Sequence, residues 1–181
     1  MNKPQEVFLI RNDLEGVPDL NVPEPFSIRN YVKGDEENWF KIYKAADHYN
    51  KIYSSMFKEY FGADEVKLSR RQFYICNEEG AAVATATAWY NSDYHGIHIG
   101  RVHWVAVHPD YQGRGLARPL LSHVLKRLKA LGHKKCYLRT LHVRIPALRL
   151  YLSCGFKPDI RNENDQRIWD EVNRNFKASG Y

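Results

Sequence analysis

One segment of the chain combines residue types that suit the binding of an anion. The β-rich run that ends at Val107 is followed by Gln112 to Ala117 (QGRGLA), which opens a helical pattern. Glycines let the backbone turn tightly and let a ligand approach without a Cβ in the way. The first N–H groups of a helix lack internal partners and, with the helix dipole, favour negative charge. Arg114 and Arg118 add positive charge, so this segment predicts a phosphate-binding turn.

Two common glycine-rich phosphate motifs do not describe this turn. A P-loop needs a Lys followed by Ser or Thr after its last glycine, and no such pair follows here. A dinucleotide-binding turn follows its strand directly and has a third glycine three residues after the second. Here His108 to Tyr111 separate the strand from the turn, and position 118 is Arg. Taken alone, Gly113 and Gly115 also fit a turn that only redirects the chain.

The longer pattern around this turn resembles the acyl-CoA signature of the GNAT superfamily of N-acyltransferases. Val105 to Ala117 matches V-x-V-x-P-x-[Y/F]-Q-G-R-G-[L/I]-[A/G], and Ala147 to Phe156 resembles the family's second motif, A-x-x-L-Y-x-x-x-G-F. The resemblance spans roughly Phe26 to Phe156. One departure is Arg144, which stands where the family often has an Asn whose side chain contacts the pantetheine arm.

The resemblance implies an N-acetyltransferase that uses acetyl-CoA or another acyl-CoA and no metal. The amine of a small molecule or peptide would attack the thioester directly in a ternary complex. The pyrophosphate would rest on the N–H groups of the glycine turn, and the pantetheine arm would extend along the end of the strand, where a backbone N–H polarises the thioester carbonyl. The expected cofactor-binding residues are Val105, Ala106, Val107, Gln112, Gly113, Arg114, Gly115, Leu116, Ala117 and Arg118.

Two residues are expected to move protons. Tyr151 stands where the family places the acid that protonates the departing thiolate, and a tyrosine with a pKa of about 10 holds its proton at pH 7. His103 has the ordinary pKa of a base for the incoming amine. By strand alternation it shares a face with Val105, unless a bulge shifts the parity. The alternatives are a core tyrosine, a structural histidine and a water relay as the base.

The acceptor side is less well defined by the sequence. His48 to Tyr53 and Tyr60–Phe61 are aromatic-rich and lie where the family varies its acceptor lid, although such aromatics are also typical of a core. Tyr90, Asn91 and Asp93 follow a strand pattern and are further candidates. His108, just outside the strand, is expected to pack within its loop.

The elements that must position these residues follow from the periodicity. We predict an α/β fold with a central, mostly antiparallel mixed sheet flanked by helices, as in the GNAT fold. Residues 1–25 contain four prolines and are expected to form an extended lead-in, with one N-acetyltransferase domain over residues 26–181. The predicted strands are Phe26–Val32, Gln72–Cys76, Ala81–Tyr90, Ile97–Val107 and Lys134–Thr140. The predicted helices begin at Glu36 (capped by Asp35), Ser54, Gly115 and Arg144, and the tail after Gln166 fits strand or helix.

Composition narrows the remaining alternatives. The 181 residues carry a net charge of +6, and no apolar run is long enough to cross a membrane. Three cysteines without metal-ligand spacing suit reduced thiols and a cytoplasmic location. An anionic cofactor accounts for the positive charge without nucleic acid, although a basic stripe from Arg118 to Lys135 leaves a nucleic-acid binder as an alternative. A non-catalytic acyl-CoA sensor and a homodimer also stay open.

Overall fold

The structure, a computed structural model, describes residues 3–178. Its strands are β1 (Glu6–Arg11), β2 (Ser27–Asn30), β3 (Gln72–Cys76), β4 (Ala82–Tyr94), β5 (Ile97–Val107), β6 (Cys136–Leu141) and β7 (Lys157–Pro158). Its α-helices are α1 (Asp35–Ala46), α2 (Met56–Phe61), α3 (Glu65–Arg71), α4 (Ala117–Ala130), α5 (Ile145–Ser153) and α6 (Glu163–Ala178). A short 3-10 turn, Pro109–Tyr111, joins β5 to the glycine turn.

The strands form one seven-stranded sheet in the order β2-β3-β4-β5-β6-β1-β7, which confirms the predicted mixed α/β architecture. All neighbouring strands are antiparallel except β5 and β6. These two parallel strands pair only at Gly100 with Cys136 and at Arg101 with Tyr137. Beyond Arg101 they separate, so the end of β5 keeps a partner on the β4 side and faces an opening on the β6 side.

Two apolar cores cover the two faces of the sheet. On one face, α4, α5 and α6 bury Leu120, Val124, Leu148 and Trp169. Leucine and valine recur every three or four residues along α4, which gives that helix its apolar stripe. On the other face, aromatic side chains of α1 and α2 pack around Trp104 of β5. The strand β5 therefore lies between a layer formed by α4, α5 and α6 and an aromatic layer formed by α1 and α2.

The first 25 residues contribute more than the extended lead-in that the sequence suggested. No strand was predicted before Phe26, whereas β1 pairs with β6 on one side and β7 on the other. Val7 and Leu9 are buried in the core beneath α6. The run of apolar residues is too short to show a period, so its place in the sheet depends on pairing with strands far along the chain.

Three local predictions were corrected or completed. Gly34, with φ +98°, caps α1, and Asp35 is its first residue, with a carboxylate that accepts hydrogen bonds from Arg29 at 2.6 and 2.8 Å. The helix α3 was not predicted; Asp64 caps it by accepting from Lys67 N at 3.0 Å. The tail that fitted either strand or helix forms α6.

Within residues 3–178 no helix combines the length and the apolar character that crossing a membrane requires.

Candidate functional site

A cavity of about 460 Å³ lies where β5 ends and α4 begins, and we call it the glycine-loop cavity. All residues expected to bind the cofactor line it except Arg114, and Pro146, Ala147 and Leu150 close it from α5. Arg114 instead donates to Asp110 O at 3.1 Å and lies over the ring of Tyr111. Arg118 does line the cavity, and its Nη2 donates to Ser153 O at 3.5 Å.

The backbone of the glycine turn leaves room for an anion. Gly113 and Gly115 have φ of +75° and +77°, a left-handed conformation that also explains why α4 starts at Ala117 instead of Gly115. A Cβ at either glycine would meet no atom within 4 Å, so it would project into open space. The first helical hydrogen bond runs from Leu120 N to Leu116 O at 3.2 Å, so earlier N–H groups have no helical acceptor. These features fit a phosphate group.

The end of β5 offers backbone polar groups to the same cavity. His108 N donates to Val83 O at 2.8 Å, and Thr85 pairs with Ala106. In an antiparallel ladder hydrogen-bonded and non-hydrogen-bonded pairs alternate, so the N–H and C=O of Val105 point away from β4. On that side β6 has already separated, and the Val105 N–H therefore faces the opening.

A second cavity of about 290 Å³, here called the inner cavity, lies on the α1–α2 face of β5. His103, Tyr60, Asp47 and Arg144 are among its lining residues. Val105 and Tyr151 line both this cavity and the glycine-loop cavity. The two cavities therefore meet at one strand residue and one tyrosine.

A bulge in β5 decides which way His103 faces. Thr85 pairs with Ala106 but Thr87 pairs with His103, so β5 has one residue more than β4 in this interval, and Trp104 adopts φ +51°. The rings of His103 and Trp104 both contact Tyr60 of α2, whereas Val105 packs against the α4–α5 core. The bulge allowed for in the prediction is therefore present, and its extra residue breaks the alternation that would have put His103 on the same face as Val105.

The two candidate proton-transfer residues sit in different electrostatic surroundings. Burial lowers the pKa of His103 well below its ordinary value, and the cations of Arg101 and Arg139 lower it further. The imidazole is therefore neutral at pH 7. Burial raises the pKa of Tyr151 to about 12, a change that the nearby Arg144 opposes, so the phenol keeps its proton. A neutral imidazole and a protonated phenol line the same cavity.

Arg144, which replaces the family's usual Asn, turns toward α1. Its Nη2 donates to both carboxylate oxygens of Asp47, at 2.8 and 2.7 Å, and its guanidinium lies over the ring of Tyr49. Burial would raise the pKa of Asp47, but hydrogen bonds from Asn50, Tyr49 N and Arg144 hold it below its ordinary value. The pair fixes the start of α5 against the end of α1 at the wall of the inner cavity.

The acceptor-side candidates separate into three groups. Asn50, Lys51 and Tyr60 line the inner cavity, whereas Phe61 is buried in the aromatic core. A third cavity of about 400 Å³, here called the hairpin cavity, is lined at the β4–β5 hairpin by Asn91 and Asp93 but not by Tyr90, which stacks on Trp89. His108 packs on Tyr111 within its loop.

Sequence reasoning missed several residues of the inner cavity. Arg101, Arg139 and Tyr43 line it, and the hydroxyl of Tyr43 is buried without a hydrogen-bond partner in the described residues. Arg101 precedes His103 by two residues on β5, so strand alternation could have placed both side chains on one face. No sequence pattern places Arg139 or Tyr43 near His103, because they belong to β6 and α1, which only the fold brings to this site.

Comparison with known proteins reveals both sequence and fold similarity. Residues 37–156 match the family described as "Acetyltransferase (GNAT) family". A mycothiol acetyltransferase from Actinosynnema mirum is 27% identical over 159 residues, which are 84% of this chain and 52% of the relative. A mycothiol acetyltransferase from Pseudarthrobacter chlorophenolicus is 30% identical over 145 residues, 77% of this chain and 45% of the relative. The chain thus spans about half the length of these curated relatives.

Solved structures extend the comparison to the fold. A GCN5-related N-acetyltransferase from Sphaerobacter thermophilus has a TM-score of 0.72 at 20% identity, covering 87% of this chain and 50% of that one. The ribosomal-protein-S18-alanine N-acetyltransferase from Escherichia coli has a TM-score of 0.59 at 26% identity, covering 73% of this chain and 77% of that one. The overall fold of this chain therefore recurs in proteins of known structure.

Proposed function

The chain belongs to the GNAT acetyltransferase family, and from this membership we propose that it transfers an acetyl group from acetyl-CoA to a primary amine of a small molecule or peptide. The observation that carries the proposal is the meeting of two cavities at Val105 and Tyr151. The glycine-loop cavity suits a phosphate-bearing donor, and the inner cavity presents charged and aromatic groups to a polar acceptor. Two reactants held in this way meet directly, and proximity supplies much of the rate.

The residues of the glycine-loop cavity would hold the donor by its phosphates and its thioester arm. N–H groups from Gly113 to Ala117 and the Arg118 guanidinium would bind the pyrophosphate. The Val105 N–H would donate to the thioester carbonyl oxygen and stabilise the negative charge that develops there. When bound, acetyl-CoA supplies an acyl carbon that accepts the amine nitrogen and a thiolate that departs.

Tyr151 would act as the acid for that thiolate. It lies at the junction of the cavities, and its raised pKa keeps the phenolic proton available at neutral pH. The new C–N bond replaces the C–S bond, the sulfur takes the proton of Tyr151, and the nitrogen gives up a proton. The alternative role for Tyr151 is packing against Phe156, whose ring centre lies 6.1 Å away.

His103 would receive the proton of the nitrogen, directly or through water. Its imidazole is neutral and lines the inner cavity, so it has a free lone pair where the acceptor would bind. Because its pKa is low, it is a weak base toward an ammonium ion. The acceptor would therefore react from its neutral amine form.

Acetyl-CoA and a panel of primary amines, followed by release of free thiol, test the proposal. We expect thiol release that depends on a primary amine, with tertiary amines of equal length as inactive controls because they form no stable amide. Calorimetric binding of acetyl-CoA without thiol release from any amine would contradict the transferase and favour the sensor.

A further inference from the structure

Arg101 is a half-buried cation that the proposed chemistry does not use. It lines the inner cavity two residues before His103 on β5. Its Nε is buried and has no hydrogen-bond partner among residues 3–178. The ion pairs of these described residues do not include it, and its guanidinium lies 5.6 Å from the ring centre of Tyr137. Such a charge costs free energy when it is withdrawn from water without a partner.

The other arginines of the inner cavity have carboxylate partners. Arg139 pairs with Glu6 at 3.1 Å, and Arg144 pairs with Asp47 at 2.7 Å. Burial lowers the pKa of Arg101 and Arg139 adds to this effect, while Tyr137, Tyr60 and Glu6 oppose it. A guanidinium in a protein nevertheless stays protonated at neutral pH. Within residues 3–178, the positive charge of Arg101 therefore has no ion-pair partner at the wall of the cavity.

We infer that Arg101 binds an acidic group of the acceptor, a carboxylate or a phosphate, so that the substrate is an amine carrying an anion at its far end. The inference rests on the proposed function, because it names the substrate class of the same site. A guanidinium presents a planar fork of donors that matches both kinds of anion. The anion would supply the partner that the described residues do not provide.

The position of Arg101 sets the distance between the two ends of the acceptor. It precedes Val105 by four residues, and the bulge at Trp104 takes up one of them. Three strand spacings place the two backbone positions roughly 10 Å apart. Arg101 and Arg139 also line the hairpin cavity, which continues the site away from Tyr151. The acidic group is therefore several bonds from the amine.

Three probes of equal chain length test this arrangement: 6-aminohexanoate, its neutral analogue 6-aminohexanamide, and 6-aminohexyl phosphate. Binding to the protein with CoA present is measured by calorimetry, and acetylation by thiol release. We expect at least one anionic probe to bind about tenfold or more tightly than the amide. The carboxylate and phosphate arms show which anion is preferred.

Variants of Arg101 assign the preference to this residue. Arg101→Met should remove the preference, and Arg101→Lys should keep part of it because the charge remains. Arg174→Met, on the exposed side of α6, is the matched control and should retain the full preference. Arg101→Met should also unfold at the same or a higher temperature, since it removes an unpaired charge, and this separates lost binding from lost folding.

The results distinguish failure of the inference from failure of the proposed function. Equal binding of all three probes, weak binding of both anions, or a preference that persists in Arg101→Met would overturn the inference. Acetylation of the amide at the same rate as the anionic probes would overturn it while supporting the transferase. Anion binding that depends on Arg101, with no acetylation of any probe, would support the inference and contradict the transferase.

Discussion

Arg144 and Asp47 are 97 residues apart in sequence, and the arginine donates from one nitrogen to both oxygens of the carboxylate. The side chain of Asp47 is 2% exposed and that of Arg144 is 26% exposed. Asp47 also accepts from the backbone N–H groups of Tyr49 and Asn50, at 2.9 and 3.1 Å. One buried carboxylate thus organises the loop after α1 and anchors α5, the helix that carries Tyr151.

Asp47→Asn should lower the free energy of unfolding by about 1 to 3 kcal/mol at pH 7, because the partly buried guanidinium of Arg144 loses its counter-charge. The pKa of Asp47 is lowered in the folded protein, so its contribution is present above about pH 4 and is lost as the pH falls through the lower folded value. Chemical denaturation at pH 7 and about pH 3 measures the difference between variant and parent, which should shrink in acid.

Asp19→Asn is the control for this variant. Asp19 pairs with Lys126 at the surface, where its side chain is 85% exposed, so its loss should cost less than about 1 kcal/mol. If both variants lose the same free energy of unfolding, the burial of Asp47 adds nothing to the stabilisation that its pairing with Arg144 provides.

Tyr151→Phe should lower kcat about 100-fold and leave the Kd for acetyl-CoA within about twofold, because the ring stays and only the proton donor is removed. Steady-state kinetics and calorimetry measure the two effects. Tyr31→Phe is the control: it removes the hydroxyl of a buried tyrosine that donates to Glu36 at 3.1 Å and lines neither cavity, so it should leave kcat unchanged. A weaker Kd with an intact kcat would assign Tyr151 to packing.

We expect kcat not to fall as the pH is raised to about 10. Tyr151 is active as the protonated acid, and its pKa of about 12 keeps it so throughout this range. On the acid side, His103 is active when neutral, and its pKa lies well below 6.5, so it should produce no limb near pH 6.5. Rate profiles between about pH 5 and 10 test both statements.

His103→Gln should lower kcat about tenfold or more at pH 7, because the lone pair that accepts the proton of the amine is lost. His123→Gln is the control. His123 lies on α4, packs against Phe73 of β3, and lines neither the inner nor the glycine-loop cavity. An unchanged kcat in His103→Gln would leave the base role to water. A wild-type limb near pH 6.5 that disappears in this variant would contradict the low pKa of the buried imidazole.

Gly115→Glu should weaken acetyl-CoA binding about tenfold or more, because a side chain and a negative charge would enter the phosphate site. Gly115 has φ +77°, so any substitution there also strains the backbone. Gly80→Glu is the matched control: Gly80 has φ +79° and open space around it, but lies in the β3–β4 turn. Unchanged acetyl-CoA affinity in Gly115→Glu would show that the phosphates bind elsewhere.

Local sequence patterns determined the elements that carry the chemistry. The bounds of β3 and β5 agree with those predicted, because each strand is an uninterrupted β-rich run with clear ends. The glycine turn and the apolar stripe of α4 were also readable, since both depend on residues close together in the chain. The strand β1 was not, because a short apolar run becomes a strand only when distant partners pair with it.

What the sequence alone determined is the set of motifs and the order of helices and strands around them. Tertiary structure decided which residues share the site. The register of β4 against β5 creates the bulge that turns His103 toward α2, and no pattern within β5 contains that information. The partner strands and helices also decided that Arg144 meets Asp47 while Arg101 has no ion-pair partner in the described part of the chain. The reason is that the energy of a buried charge depends on groups that only the folded chain assembles around it.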